Sequence, residues 1–271
     1  MALSIATNTS AALAHRYLRT NDMEATRSLA KLSSGSRIVR ASDDAASMAV
    51  GTKLKADVAG LKQAQVNAGH AGSLLQLADG ALQQISDVLI RMKALATQSV
   101  NGALSDTERG YLDAEYQQLI NQIDQIAKYT TFNGDAVIDG TYNKDFLVGL
   151  DPTNDVINVT LNDMTAGGLN LSTGIGTSAN AQSAIGEVDA ALETVLTERA
   201  TVGSLMSRFD YAGANLATMV ENMDAARSVL MDVDVAGEMA NFSAKQVVMQ
   251  ASVAMLAQAN QMPQNLLRLL Q

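Results

Sequence analysis

The stretch LSSGSRIVRASDDAAS at 32–47 holds the side chains most suggestive of chemistry: Arg37 and Arg40, then the adjacent carboxylates Asp43 and Asp44. Arginines beside a glycine suggest an anion cradle, and paired carboxylates suggest acid–base work. Neither pattern is complete. A phosphate loop needs closely spaced glycines followed by Lys and Ser or Thr, and GSR has none of that. Two neighbouring aspartates in one turn point in different directions and make a poor couple across a substrate. His15 and His70, the two histidines, lack an H-x-x-H or H-E-x-x-H arrangement, so no zinc site is expected. No serine sits in G-x-S-x-G. Cysteine is absent, which removes disulfides, thiolate catalysis and cysteine metal sites. The chain is expected to be no enzyme and to hold no cofactor.

The same stretch makes sense as a connector. SSGS at 33–36 ends a helix, with Gly35 free to turn left-handed. Ser42 is expected to cap the next helix, with Asp43 and Asp44 in its first turn, where negative charge is favourable. Periodicity on both sides supports helices. Leu74, Ala78, Ala81, Ile85, Val88, Met92 and Leu95 alternate steps of four and three. Leu112, Tyr116, Leu119, Ile123 and Ile126 repeat the pattern, as does the run from Leu205 through Phe209, Ala212, Leu216, Met219, Met223 and Ala226 to Leu230. A repeat near 3.5 keeps one helix face on a partner, as in a coiled coil or bundle. Ser105 and Glu108 form a capping box for the second run. Between Phe132 and about Thr177, the short pieces AVIDG, DFLVGL, DVINVTL and GLNLS read as β-prone, with two or three strands expected. Helix then resumes near 178–180.

The ends differ from the middle. Residues 3–31 scatter Leu3, Ile5, Leu13, Tyr17, Leu18, Met23 and Leu29 over Ala, Ser, Thr and Asn. At the other end, Val235, Met239, Phe242, Gln246, Met249, Val253, Leu256 and Asn260 form a stripe with two polar members. Each helix alone would be marginal, so the two are expected to pair as one terminal coiled coil. The fold class expected is mainly α: an elongated rod of long helices with a small β-hairpin region. Its parts are 1–43 and 231–271 as halves of an inner terminal domain, and 44–230 as the rod, with helices 44–100, 105–129 and 180–230 around a β-rich 132–177.

Composition narrows the partners. The net charge is −9 and the 19 Lys and Arg are scattered, which argues against nucleic acid. No run approaches the roughly 20 apolar residues of a membrane span. The start MALSIATNTSAALAHRYL lacks the basic opening and unbroken apolar run of a secretory signal. Trp is absent, Met numbers 13 and Pro only two, a composition for closely packed helices.

Four motifs in order, LSSGSRIVRASDDAAS at 32–47, ADGALQQISDVLIRMKALATQSVNG at 78–102, TTFNG at 130–134 and MLAQANQMPQNLLRLL at 255–270, resemble those of bacterial flagellins. The short 135–178 region stands where larger members insert variable outer domains. Two departures from the pattern are Phe209 within SRFD and Val229-Leu230 in place of Arg-Ile. The resemblance implies a homopolymer of many copies forming the extracellular flagellar filament used for motility. It implies export, unfolded, by the flagellar secretion apparatus and assembly at the distal tip. Implied partners are an export chaperone at the C-terminus, hook-associated junction and cap proteins, and a host innate receptor. Assembly contacts implied are Arg37, Ile38, Asp43, Asp44, Phe242, Met249, Leu256, Leu266 and Leu270. The implied receptor patch is Leu89, Arg91 and Glu115, with Ile90 where a Gln is common. A hook–filament junction protein and a coiled-coil surface adhesin are the rival readings.

Overall fold

The computed structural model describes residues 7–269, and side-chain surroundings for 7–262. Five helices and four short strands follow in order: α1 Thr9–Ser34, α2 Ala45–Val100, α3 Asp106–Tyr129, β1 Thr131–Phe132, β2 Asp135–Ala136, β3 Asn143–Leu147, β4 Val156–Thr160, α4 Ser178–Met231 and α5 Val235–Leu269. The chain divides into two compact units. The first joins the residues up to Ala56 with those from Asn222 onward; the second is Asp57–Glu221.

In the second unit, one core takes side chains from α2, α3, α4 and the segment 137–175. On α4, buried positions recur at steps of three and four from Ala181 to Phe209, a strict seam. The expected α2 seam is buried apart from the half-buried Val88, but a second row lies beside it. Leu75, Leu82, Leu89 and Ala96, seven residues apart, are also buried. The cause is a neighbour on each side. Arg91 pairs with Glu115 of α3, whereas Lys93 pairs with Asp189 and Arg199 with Asp79 between α2 and α4. A helix packed on two sides buries more than one seam.

Helix α3 starts as its sequence says. The Ser105 hydroxyl accepts from the Glu108 amide, and Glu108 accepts from the Ser105 amide at 2.7 Å. Buried Arg109 fastens the preceding turn by donating to the carbonyls of Ser99 at 2.8 Å and Asn101 at 2.9 Å.

The β-prone region forms two antiparallel hairpins with four strands, rather than two or three. Asn133 and Gly134 both have positive φ, 54° and 93°, the backbone that a two-residue hairpin turn requires. In the second hairpin Phe146 lies opposite Ile157, and its ring meets Phe209 edge-on at 5.8 Å. The piece GLNLS is not a strand. It turns, with the Leu171 amide donating to the Ala166 carbonyl, and inserts Leu169 and Leu171 into the core. The loop that follows has no ladder partner, so carboxylates receive its amides. Glu187 accepts from Ser172 and Thr173, and Asp113 accepts from Ile175 at 2.6 Å. Buried Glu198, a polar member of the α4 seam, accepts from the Asn162 amide and side chain.

Among the described residues, one buried side-chain polar atom has no protein partner, the Tyr116 hydroxyl. Burial, with Glu187 and Asp113 nearby, pushes its pKa up to about 12. Removing an unsatisfied hydroxyl removes its desolvation cost and keeps the ring's packing. Tyr116→Phe is therefore expected to leave stability unchanged or raise it by about 1 kcal/mol. Equilibrium denaturation of the full chain checks this; a loss of stability would mean that the hydroxyl is satisfied through water.

Candidate assembly face

In the first unit α1 and α5 run antiparallel. Asn8 donates to the Ala259 carbonyl at 2.8 Å, Asn21 to the Ser252 hydroxyl at 3.4 Å, and Lys245 meets Glu24 at 2.5 Å. Their backbones come within 8 Å along the pairing, closer than α2, α3 and α4 approach one another. Small residues allow it. On α1 the inward positions are Ala11, Ala14, Leu18, Asn21, Ala25, Ser28 and Leu32, again three and four apart. On α5, Phe242, Met249 and Leu256 are half-buried, alternating with Lys245, Ser252 and Ala259. Large knobs on one helix face small residues on the other.

This seam differs from the expected one. Most of the large apolar residues noted on α1 point away from α5: Leu13 is 46% exposed, Tyr17 56% and Met23 61%. On α5 the expected stripe splits. Phe242, Met249 and Leu256 turn inward, while Val235, Met239, Gln246, Val253 and Asn260 are exposed. On α1 a seam mostly of Ala, Ser and Asn, with Leu18 and Leu32 its large members, carries little hydrophobic period, so the large residues noted there did not mark it. Outward residues of both helices, including Leu13, Tyr17, Val247, Val248, Met255 and Met262, line an open apolar groove of about 750 Å³. Leu266 and Leu270 lie outside the residues whose side chains are described.

The stretch 32–47 closes this unit at its other end. Gly35 caps α1 with φ 67°, the left-handed turn expected of it. Ser36 then bridges Asp232 in the link between α4 and α5. The Arg37 amide donates to the Met231 carbonyl at 2.7 Å, its guanidinium to the Leu230 carbonyl, and the Val233 amide to the Gly35 carbonyl. Ile38 is buried. Asp44, not Ser42, caps α2, because helix begins at Ala45 and its carboxylate accepts from the Ser47 amide at 2.9 Å and hydroxyl at 2.6 Å. Asp43 accepts from the Arg40 amide at 3.1 Å and the Val39 amide at 3.4 Å, with Arg27 at 4.0 Å. The two aspartates serve different helices and loops, so they form no catalytic pair.

The residues expected to form a receptor patch are divided. Arg91 donates to Glu115 at 2.6 and 3.0 Å on the surface, with Ile90 57% exposed beside it. Leu89 is fully buried, since it belongs to the second α2 row, so its side chain is not part of that surface. His15 and His70 are both exposed on separate helices. Among the described residues there is no cluster of His, Asp or Glu that could hold a metal ion, and no helix long and apolar enough to cross a membrane.

The chain matches the models of the bacterial flagellin N-terminal helical region over residues 5–143 and of the C-terminal helical region over 185–270. It belongs to the bacterial flagellin family. It is 38% identical to a flagellin of Halalkalibacterium halodurans, over 95% of this chain and 96% of that one. Identity to the flagellar filament 30.7 kDa core protein of Treponema maltophilum is 36%, over 97% and 98%. The crystal structure of Bacillus cereus flagellin, 36% identical, superposes with a TM-score of 0.50 over 60% of this chain and 94% of that one. A putative flagellar hook-associated protein of Vibrio parahaemolyticus reaches a TM-score of 0.58 at 15% identity, which shows a shared fold alone. Members of the family are structural proteins of the flagellar filament and not enzymes.

Asp43 and Asp44 connect this face to pH. Amide donation from Arg40 chiefly lowers the Asp43 pKa, helped by the Val39 amide and by Arg27 and Lys31. The Ser47 hydroxyl and amide lower that of Asp44. A depressed folded-state value contributes stability above the unfolded value that is lost as pH falls through the folded one. Acidification below about pH 4 is therefore expected to loosen the connector, and Asp43→Asn with Asp44→Asn to flatten that acid response. Melting curves of the full chain followed by circular dichroism from about pH 6 to 3 check this; equal acid slopes would place the acid sensitivity elsewhere.

Proposed function

We propose that this chain is exported unfolded by the flagellar secretion apparatus and polymerises at the distal tip, copies joining through the outward apolar faces of α1 and α5. One observation carries the reading: α1 gives mainly small residues to the seam, and both helices leave large apolar residues such as Leu13, Tyr17, Val247 and Met255 outside. Fully burying a large apolar side chain is worth about 1.5–3 kcal/mol. A handful of such burials offsets the roughly 4–15 kcal/mol that association costs. Within one copy the face is open, so each neighbour added both covers a face and presents another. Such a heterologous contact grows an open helical array.

The same apolar residues suit a C-terminal export chaperone before assembly, and the ends of such an array are where hook-associated junction and cap proteins would meet it. The family supports a filament of many copies over a single junction zone. On a released monomer, Arg91, Glu115 and exposed Ile90 form the surface that a host innate receptor would read. Arg91→Ala with Glu115→Ala is then expected to weaken receptor binding by about 1–2 kcal/mol without changing the melting temperature. Unchanged affinity in a titration would remove these residues from that contact.

Seeded polymerisation of purified protein, imaged by negative stain, tests the main reading, with long tubes as the expected product. Truncation after Asn260 shortens α5 and removes Met262 from the groove. The truncated chain is expected to keep the second unit's cooperative melting transition and yet neither nucleate nor extend filaments. Normal growth would show that the contact does not involve this end of α5, and global unfolding would show that α5 supports the whole fold.

A further inference from the structure

An asparagine before a glycine is prone to react with its own backbone, because glycine leaves the next peptide nitrogen unshielded. The chain has two such pairs, Asn101-Gly102 and Asn133-Gly134, and all four residues are exposed. Only the first is surrounded by donors. Asn101 follows the last residue of α2, and its side-chain carbonyl accepts from the Ala103 amide at 3.1 Å. Such a bond mimics a backbone turn and folds the side-chain carbonyl carbon back over the Gly102 nitrogen. The main-chain carbonyl of Asn101 accepts from the Arg109 guanidinium at 2.9 Å and from the Leu104 amide at 3.2 Å. Arg109 is buried and is held in place by the Ser99 carbonyl and by Asp106. Neither the Gly102 amide nor the Asn101 side-chain nitrogen donates to a protein acceptor among the described residues. At the second pair, by contrast, no protein donor reaches the Asn133 side chain among the described residues, and the residue sits at φ 54° in the tight turn between β1 and β2.

These donors sit where one reaction develops its charge. Loss of the Gly102 N–H proton to water leaves negative charge on the peptide, much of it on the Asn101 main-chain oxygen, where Arg109 and Leu104 donate. Attack of that nitrogen on the side-chain carbon moves the charge to Oδ1, where Ala103 donates. We propose that Asn101 is a self-modifying site, whose side-chain amide is displaced by the Gly102 nitrogen. The nitrogen bonds to Cγ, the Cγ–Nδ2 bond breaks, and ammonia leaves carrying a proton returned from water. Water then opens the cyclic imide at either carbonyl and leaves aspartate or isoaspartate at 101. The net reaction consumes water and releases ammonia, with no oxidant and no cofactor. Isoaspartate places an extra methylene in the main chain, so the carbonyl that Arg109 and Leu104 hold is displaced and the link between α2 and α3 loosens. Because donors already in place need no reorganisation, folding speeds the step instead of slowing it.

The test is incubation of the full chain in mildly alkaline buffer, once folded and once unfolded in urea. Peptide mass spectrometry reads the fraction of amide converted to acid at each asparagine, and enzymatic methylation counts isoaspartate. In the folded chain Asn101 is expected to convert about fivefold or more faster than Asn133, and faster than Asn101 itself in urea. Gly102→Ala adds a Cβ that meets nothing within 4 Å, and is expected to slow conversion at Asn101 while leaving Asn133 unchanged. Converted protein, separated by its added negative charge, is expected to melt below Asn101→Asp, which carries that charge on a normal backbone. Equal rates at Asn101 and Asn133, or a faster reaction at Asn101 in urea, overturn the proposal without needing any variant to fold. Equal melting of the converted protein and Asn101→Asp overturns the loosening of the link between α2 and α3.

Discussion

Close approach of α1 and α5 is the constraint on which the first unit depends. It is possible because Ala11, Ala14, Asn21, Ala25 and Ser28 leave room for Phe242, Met249 and Leu256. A seam of small residues buries little apolar area per turn, so the pair is held modestly within one copy. The same choice turns Leu13, Tyr17, Val247 and Met255 outward. Weak pairing inside and an apolar face outside are two consequences of one arrangement. In the proposed assembly, a subunit so built would gain its missing burial from neighbours.

The connector at 32–47 and the link at 231–233 secure that arrangement by backbone hydrogen bonds rather than by burial. Gly35, Ser36 and Arg37 lie against Met231, Asp232 and Val233, so the ends of α1 and α4 and the start of α5 are fixed together. Arginines and aspartates that suggested chemistry are occupied with carbonyls and amides. Their roles are to end one helix, start another and hold the turn between. The second unit solves the same problem differently. Where amides of the segment 161–175 find no strand partner, Asp113, Glu187 and Glu198 on α3 and α4 receive them, while Leu169, Leu171 and Ile175 fill the core. Carboxylates on helices replace the missing ladder.

Much was determined by the sequence alone. Helix positions followed from steps of three and four. The capping box at Ser105 and Glu108, the left-handed Gly35 and the Asn133-Gly134 turn followed from local chemistry that needs no distant partner. The family was legible in four ordered motifs. Tertiary structure decided what depends on neighbours. It added a second buried row on α2, and so placed Leu89 inside, because a helix cannot announce how many others will pack on it. It moved the cap from Ser42 to Asp44, one short polar residue being as good locally as the other until the backbone selects. It made GLNLS a turn, since apolar residues two apart suit a strand or a plug equally well. Above all it turned many of the large residues of α1 and α5 outward, Leu13, Tyr17, Met23, Val247 and Met255 among them. Hydrophobic period marks a face that will be covered, and only packing distinguishes cover by the chain itself from cover by another copy.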